Sequence, residues 1–117
     1  MKYKILITNE FEEWLEEEPA KSRVQIAKRI ENVREEGYFG DHKQVRDHVW
    51  ELRWENGRRI YYSLIPVSQV LLLLGGNKNG QTKDINQAEK IYKDWVYDYT
   101  DRDSKIGFWA SVKAPGI

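Results

Sequence analysis

Hydrophobic and polar positions along this chain change their period several times, and each change marks a predicted element. Alternation of polar and apolar residues is typical of half-buried strands, whereas apolar residues three and four apart are typical of helices packed on one side. The elements predicted in this way are a strand over residues 2–8, a helix from Asn9 to Pro19, a second helix from Lys21 to Glu36, strands over 49–54, 58–65 and 70–74, and a helix from Asp84 to Tyr99. This β-α-α-β-β-β-α order predicts an α+β domain, with a helical hairpin and a C-terminal helix packed on a mainly antiparallel four-stranded sheet.

Capping signals and apolar stripes predict where the helices begin and which side they bury. Asn9 followed by Glu12 matches a capping box, and Gly37 is a natural stop for the second helix. The residues expected to face the sheet are Phe11, Trp14 and Leu15 in the first helix, Val24, Ala27, Ile30 and Val33 or Arg34 in the second, and Ala88, Ile91 or Tyr92, Trp95 and Tyr99 in the third.

A β-hairpin around Asn56-Gly57 is the clearest local signal, and the length of its loop determines which side chains share a face. A two-residue loop would mix charged and apolar residues on both faces. A three-residue loop with Gly57 in a left-handed conformation separates them and pairs Arg53 with Arg59. In that register the polar face carries Glu51, Arg53, Arg59, Tyr61 and Ser63, and the core face carries Trp50, Leu52, Ile60, Tyr62 and Leu64.

The third quarter of the chain contains an entirely apolar run, residues 70–74, followed by a glycine-rich run, residues 75–80. The first predicts a strand covered on both faces, and the second predicts a flexible loop. Residues 1–100 are expected to form one domain, and residues 101–117 an aromatic tail that docks on this domain or on a partner.

Composition narrows the class of protein. A chain of 117 residues has the length of one domain, and the absence of cysteine excludes a disulfide scaffold and a thiolate metal site. The apolar run at the N-terminus meets Asn9 and Glu10 too early for a signal peptide or a membrane span. With two histidines in all, a dedicated metal site is not expected. A cytoplasmic protein without a membrane segment is therefore expected.

Charge is balanced in total but not along the chain. The sequence has 19 basic and 19 acidic side chains, yet between residues 43 and 83 seven cations face three acidic residues. This local excess of four positive charges is suited to binding phosphate, although charge patches are also common on the surfaces of soluble domains.

At this point the chain resembles the RelE/ParE superfamily of small toxins, and within it the HigB-like addiction-module killer proteins of the phage-derived type. The resemblance spans about residues 5–95. It is carried by Phe11-x-x-Trp14-Leu15, Arg29-Ile30, Gly40-Asp41-x-Lys43-x-Val45, Val49-x-Glu51-Leu52-Arg53, Arg59-Ile60-Tyr61-Tyr62, Leu73-Leu74-Gly75-Gly76-x-Lys78 and Gln81-x-Lys83-Asp84-Ile85.

The resemblance implies the toxin of a type II toxin–antitoxin system, typically a ribosome-dependent endoribonuclease that cuts translated mRNA without a metal or other cofactor. Its partners would be the ribosome, the mRNA and a cognate antitoxin, a helix-turn-helix or short helical protein encoded by an adjacent gene. Two alternatives stay open: a ParE-like inhibitor of DNA gyrase, and a non-catalytic binding module on a decayed toxin fold.

Roles in RNA cleavage follow from the resemblance and from the hairpin face. The reaction needs one proton taken from the 2′-hydroxyl, one proton given, and stabilisation of a dianionic phosphorane. Arg59 and Arg53 are expected to cradle the phosphate and Lys78 to neutralise the leaving oxygen, while Tyr61 stacks or shares a proton and Glu51 is the nearest carboxylate for a base. The residues expected to hold the RNA backbone are Lys43, Arg46, Arg58 and Lys83. The competing interpretation is a cross-strand charge ladder on a solvated face, in which Tyr61 simply packs.

Overall fold

A computed structural model describes the backbone of residues 1–106 and the side chains of residues 1–98. Five strands form one sheet, and helices cover both of its faces. The strands are β1 (Lys4–Ile7), β2 (His42–Arg46), β3 (Val49–Arg53), β4 (Arg58–Ile65) and β5 (Gln69–Asn77). The helices are α1 (Asn9–Glu16), α2 (Ala20–Glu36) and α3 (Gln81–Ile106), with a 3₁₀ turn (Lys78–Gly80) between β5 and α3. The predicted α+β class is confirmed.

The sheet is mixed and has the strand order β1-β5-β4-β3-β2. Strand β1 runs parallel to β5, and every other neighbouring pair is antiparallel. Because β5 lies between β1 and β4, its apolar run is an interior strand, as predicted. This order places the end of β5, the β3–β4 hairpin loop and the start of α3 at one end of the sheet.

Two apolar cores lie on opposite faces of the sheet. One face packs against α1 and α2 around Phe11, Ile26 and Val33, and the other packs against α3 around Ala88 and Ile91. The alternation of β5 supplies both cores, Val70 and Leu72 to the first and Leu71 and Leu73 to the second. The predicted stripe of α3 is confirmed for its described residues, and the side chain of Tyr99 lies outside them.

The predicted hairpin register is confirmed. Arg53 pairs with Arg59 and Leu52 with Ile60, while the N–H of Gly57 donates to the carbonyl of Trp54 and Gly57 has φ +99°. A left-handed residue at this point completes a three-residue loop, and glycine adopts that conformation without steric cost.

The structure corrects four predictions. A further strand, β2, makes the sheet five-stranded; it was missed because Val45 is its only apolar residue and it lies at the sheet edge. Residues 75–77 continue β5 rather than beginning a flexible loop. Helix α1 is capped by Thr8, whose hydroxyl accepts a 3.0 Å hydrogen bond from the N–H of Phe11. The last correction concerns exposed apolar side chains: Val24, Ala27 and Leu64 face solvent, and α2 buries Ile26 instead.

Helix α3 continues to Ile106, past the predicted domain boundary at residue 100. The predicted docking of the aromatic tail, residues 101–117, concerns side chains that lie outside the described part of the chain. No helix in the described part is long and apolar enough to cross a membrane.

Candidate functional site

Glu51 lies at the centre of a charged cluster on the α3 face of the sheet, where the β3–β4 hairpin turns. Its carboxylate is fully buried, with Oε1 3.5 Å from Nε of Arg53 and Oε2 3.8 Å from Nε of Arg59. From the first turn of α3, Nε2 of Gln81 donates a 2.5 Å hydrogen bond to Oε2. We call Glu51, Arg53, Arg59, Tyr61 and Gln81 the hairpin-end cluster.

The two arginines of this cluster differ in their access to solvent. The side chain of Arg53 is 36% exposed, whereas that of Arg59 is 10% exposed. Nη1 of Arg59 also donates to the carbonyls of Trp54 and Arg58 at 3.1 and 3.0 Å. The prediction that these arginines share one face is therefore confirmed, but Arg53 is the one that a ligand can reach.

Two side chains with predicted catalytic roles are enclosed. Glu51 and Tyr61 have no exposed surface, because α3 covers this part of the sheet. This corrects the sequence interpretation, since in this arrangement Glu51 cannot take a proton from a substrate and Tyr61 cannot stack on a base. Burial, and next the carboxylate of Glu51, raise the pKa of Tyr61 far above its ordinary value, so its hydroxyl stays protonated.

Charge in the hairpin-end cluster is incompletely compensated. Two guanidinium groups share one carboxylate, and both contacts are longer than the 2.7–2.9 Å typical of charge-assisted hydrogen bonds. Oε1 of Glu51, Nε of Arg59 and the hydroxyl of Tyr61 are buried without a hydrogen-bond partner among the described residues. A surplus positive charge beside an accessible guanidinium is an arrangement that attracts anions.

Lysines extend the positive charge around this cluster. Lys78 is exposed at the start of the 3₁₀ turn, where its N–H donates a 2.8 Å hydrogen bond to the carbonyl of Gly57 and its side chain packs over that glycine. Lys43 is exposed on β2, directly across from Glu51, and Lys83 is exposed in the first turn of α3. The structure thus brings three of the predicted lysines to this end of the molecule.

Two predicted RNA-binding arginines have structural contacts instead. Arg46 binds α3, with Nη1 2.9 Å from Oε1 of Glu89 and Nη2 donating to Oδ1 of Asn86 at 2.8 Å. Arg58 points to the opposite face, where it donates to the hydroxyl of Ser22 at 2.8 Å. The alternation of β4 sends Arg58 and Arg59 to different faces, so Arg58 does not lie on the surface that carries Arg53 and Arg59.

Arg29 positions the backbone of Arg53, a role that sequence reasoning missed. From α2 its guanidinium donates to the carbonyls of Arg53 at 2.6 Å, Asp41 at 2.6 Å and Phe39 at 2.9 and 3.1 Å. The N–H of Arg53 in turn donates to the carbonyl of Asp41 at 2.9 Å. The only signal in the sequence was the place of Arg29 beside Ile30, on the side of α2 expected to face the sheet.

Gln81 and Asp84 belong to a motif that carries the resemblance, but sequence reasoning assigned no role to either of them. A Cβ at Gly76 would stand 2.1 Å from Oδ2 of Asp84, so the missing side chain of Gly76 makes room for this carboxylate over β5. Burial raises the pKa of Asp84 above its ordinary value. Gln81 contacts Glu51, which lies 30 residues earlier in the chain, so no local pattern could have revealed that contact. Among the described side chains, no group of three histidines, aspartates or glutamates is placed to hold a metal ion.

Comparison with solved structures shows a fold shared with RelE toxins. The chain matches the toxin–antitoxin complex RelBE2 from Mycobacterium tuberculosis with a TM-score of 0.55 and 15% identity, over 66% of this chain and 99% of that one. It matches a mutant of the Escherichia coli toxin RelE in the free state with a TM-score of 0.55 and 17% identity, over 84% of this chain and 98% of that one. At these identities the matches define the fold.

Comparison of sequences identifies the family. A protein of Haemophilus influenzae, described as uncharacterized, is 36% identical over 94 residues, which cover 78% of this chain and 94% of that protein. Residues 13–94 match the family model for the phage derived protein Gp49-like (DUF891). This match includes α2, all strands but β1, and the whole hairpin-end cluster. The chain therefore belongs to the Gp49-like family of phage-derived proteins, built on the RelE toxin fold.

Proposed function

We propose that this chain is the toxin of a type II toxin–antitoxin system and that it cleaves ribosome-bound mRNA in the cytoplasm. The observation that carries the proposal is the hairpin-end cluster, where Arg53 reaches solvent beside a second guanidinium and the two share one carboxylate. Membership of the Gp49-like family, the RelE fold and the resemblance to HigB-like toxins support the same function.

The chemistry of RNA cleavage suits a site built from cations. The oxygen of a 2′-hydroxyl attacks the adjacent phosphorus and its proton is lost, while the bond from phosphorus to the 5′-oxygen breaks and that oxygen takes up a proton. The main demand on the site is therefore to stabilise negative charge on the phosphoryl oxygens and on the leaving oxygen. In our proposal Arg53 contacts the scissile phosphate and Lys78 neutralises the leaving oxygen. Lys43 and Lys83 hold the flanking backbone through contacts that weaken with salt.

Buried members of the cluster act indirectly in this proposal. The buried carboxylate of Glu51 orients the guanidinium of Arg53, and the hydrogen bond from Gln81 holds that carboxylate in place. Arg59 adds positive charge beside Arg53. The group that takes the proton from the 2′-hydroxyl is not one of the buried side chains Glu51 and Tyr61. We propose that the codon held by the ribosome supplies the geometry of attack, as in ribosome-dependent toxins.

A neutralising partner completes the proposal. In the Mycobacterium tuberculosis complex a RelE-type toxin is bound to its antitoxin. We expect an antitoxin of helix-turn-helix or short helical type, encoded beside this chain, that covers the cationic surface around Arg53. Co-expression of that partner should restore growth of cells in which the chain is induced.

The test is induction of the chain without a partner, followed by mapping of transcript ends and of DNA breaks. Growth arrest with new cuts inside translated codons is the expected result. Growth arrest with double-strand DNA breaks and intact mRNA would reject the nuclease and indicate a ParE-like inhibitor of DNA gyrase.

A non-catalytic binding module is the second candidate, and one observation favours it. Glu51 and Tyr61 are fully buried and the side chain of Arg59 is 10% exposed, which leaves Arg53 as the accessible member of the predicted arginine and carboxylate set. Harmless overexpression of folded protein, with intact mRNA and DNA, would establish this candidate in place of the toxin.

A further inference from the structure

A polar pocket opens on the α1–α2 face of the sheet, at the same end as the hairpin-end cluster. Its volume is about 250 Å³, below the roughly 300–1,000 Å³ of drug-sized ligand sites. We call it the tryptophan pocket, and the residues that line it and carry the argument are Trp14, Glu18, Asn56, Arg58 and Asn77. A pocket of this size accommodates one planar group rather than an extended ligand.

Hydrogen bonds within the loops orient both asparagine amides of the pocket. Oδ1 of Asn56 accepts from the N–H of Arg58 at 3.0 Å, and Oδ1 of Asn77 accepts from the N–H of Asn79 at 2.8 Å. The amino group of each amide is thus left as a donor. Neither amino group has a hydrogen-bond partner among the described residues.

Glu18, which follows the C-terminus of α1, supplies hydrogen-bond acceptors to the pocket. Its carboxylate forms no ion pair with any described side chain, although its backbone carbonyl accepts from Nη1 of Arg23 at 2.6 Å. Arg58 is 8% exposed and is held by Ser22 and Gln25 at 2.8 and 3.3 Å, so it supplies a fixed positive charge on the pocket wall. The pocket thus presents an acceptor pair, two amide donors and a guanidinium.

Trp14 supplies an aromatic surface whose position is fixed. A Cβ at Gly75 would stand 2.2–2.3 Å from three atoms of the indole, so the ring lies directly against the backbone of β5. Bases of single-stranded RNA commonly bind where an aromatic ring is combined with polar groups that read the base edge.

We infer that the tryptophan pocket is a subsite for a guanine base of the RNA substrate, an inference that rests on the proposed function. Guanine carries two adjacent donors, N1–H and N2–H₂, which match the two oxygens of Glu18, and its O6 and N7 acceptors match the amide donors. Adenine presents an acceptor where guanine has N1–H, so it would face the carboxylate unfavourably. Cytosine and uracil lack the adjacent donor pair.

The position of the pocket relative to the cationic residues supports one continuous substrate path. Asn77 lines the pocket, and the next residue is Lys78, whose side chain packs over Gly57 in the hairpin loop. Gly76 also lines the pocket and is the register partner of Arg59. Lys78 therefore follows the pocket wall in sequence and contacts the hairpin loop that leads to the proposed phosphate site.

The test is titration of the purified full chain with guanosine, adenosine, cytidine and uridine 5′-monophosphates by calorimetry. We expect the guanosine nucleotide to bind about tenfold more tightly than the others, and Glu18→Gln to remove that preference, since one bidentate contact to a base edge accounts for a difference of this size. Glu13→Gln is the matched control, because Glu13 is an exposed carboxylate of α1 outside the pocket. Equal binding of all four nucleotides, no measurable binding, or equal behaviour of the two variants would overturn the inference.

Cleavage mapping separates this inference from the proposed function. Cuts without a preference for guanine would retain the nuclease and reject the subsite. Selective binding of the guanosine nucleotide by a chain that cuts no RNA would retain the subsite and reject the nuclease.

Discussion

Two pairs of arginines flank the β3–β4 hairpin, one on each face of the sheet. Their guanidinium groups have different kinds of partner. On the α2 face, Arg29 and Arg58 lie 4.4 and 5.3 Å from the ring centre of Trp54 and donate to backbone carbonyls, a hydroxyl and an amide oxygen. On the α3 face, Arg53 and Arg59 share the carboxylate of Glu51 at 3.5 and 3.8 Å.

The difference between the faces separates arginines with a structural role from arginines that are placed to bind phosphate. The guanidinium groups on the α2 face have directed hydrogen bonds, so they join α2 to the hairpin without needing a ligand. The α3 face has long contacts, buried polar atoms without partners, and one partly exposed cation. Buried polar atoms without hydrogen-bond partners lie there beside a guanidinium that reaches solvent. This is the physical reason to expect anion binding on the α3 face rather than on the α2 face.

Removing Arg29 should have the largest effect on stability. Arg29→Ala leaves the carbonyls of Phe39, Asp41 and Arg53 without this donor, and at about 1 kcal/mol for each group the free energy of unfolding should fall by about 3 kcal/mol. Urea unfolding measures the change, with Lys28→Ala on the exposed side of α2 as the control. A loss no greater than that of the control would mean that the α2 face is not the structural one.

Neutralising Glu51 should lower the free energy of unfolding by less than the loss of Arg29 does. It also tests whether the α3 face binds anions. Glu51→Gln leaves two guanidinium groups without their shared anion, and because Arg53 is partly solvated we expect a loss of about 2 kcal/mol, below the usual cost of breaking a buried pair. Sodium sulfate should then raise the thermal midpoint of the variant more than sodium chloride of equal ionic strength does. Glu55→Gln, in the exposed hairpin loop, is the control, and equal responses of both variants to sulfate would contradict an anion site.

Substituting the adjacent glycines of β5, Gly75 and Gly76, tests how tightly each face of the sheet is packed. A Cβ at Gly75 would meet three ring atoms of Trp14, whereas a Cβ at Gly76 would meet the end of the Asp84 side chain. The carboxylate can rotate away and the packed indole cannot, so Gly75→Ala should cost about 1 kcal/mol more than Gly76→Ala. Urea unfolding of the two variants side by side gives the difference, and the reverse order would refute this packing.

Asp84 gives the smallest effect, which depends on pH. Burial raises its pKa in the folded state, so its contribution to stability is fully present below the unfolded pKa and is lost as pH rises through the folded one. Asp84→Asn cannot ionise, and we expect it to gain stability relative to the wild type between about pH 3 and pH 7. Urea unfolding at both pH values measures this, and a constant difference between the proteins would contradict a desolvated carboxylate.

Local patterns predicted the elements that bury a regular stripe and missed those that do not. The hairpin register followed from its own alternation and from Gly57, because one loop length separated charged from apolar residues. Strand β2 escaped notice because it is an edge strand whose residues are mostly polar. The exposed Val24 shows the same limit in a helix, since α2 buries Ile26 rather than Val24.

The strand pairing of the candidate site could be predicted from the sequence, but the burial of its side chains could not. Cross-strand pairing brought Arg53 and Arg59 together, as alternation predicted. The enclosure of Glu51 and Tyr61 depends on α3, which begins 20 residues after Tyr61 and three residues earlier than its apolar stripe predicted. Contacts such as that of Gln81 with Glu51 join positions that no local pattern relates.

The central claim is that Arg53 on the α3 face contacts RNA phosphate. The most direct measurement is transcript-end mapping after induction of Arg53→Ala and of Lys28→Ala, which removes an exposed cation of α2, with folded protein levels matched. We predict that Arg53→Ala abolishes both growth arrest and codon-internal cuts while Lys28→Ala retains them. Undiminished cutting by Arg53→Ala would contradict the claim.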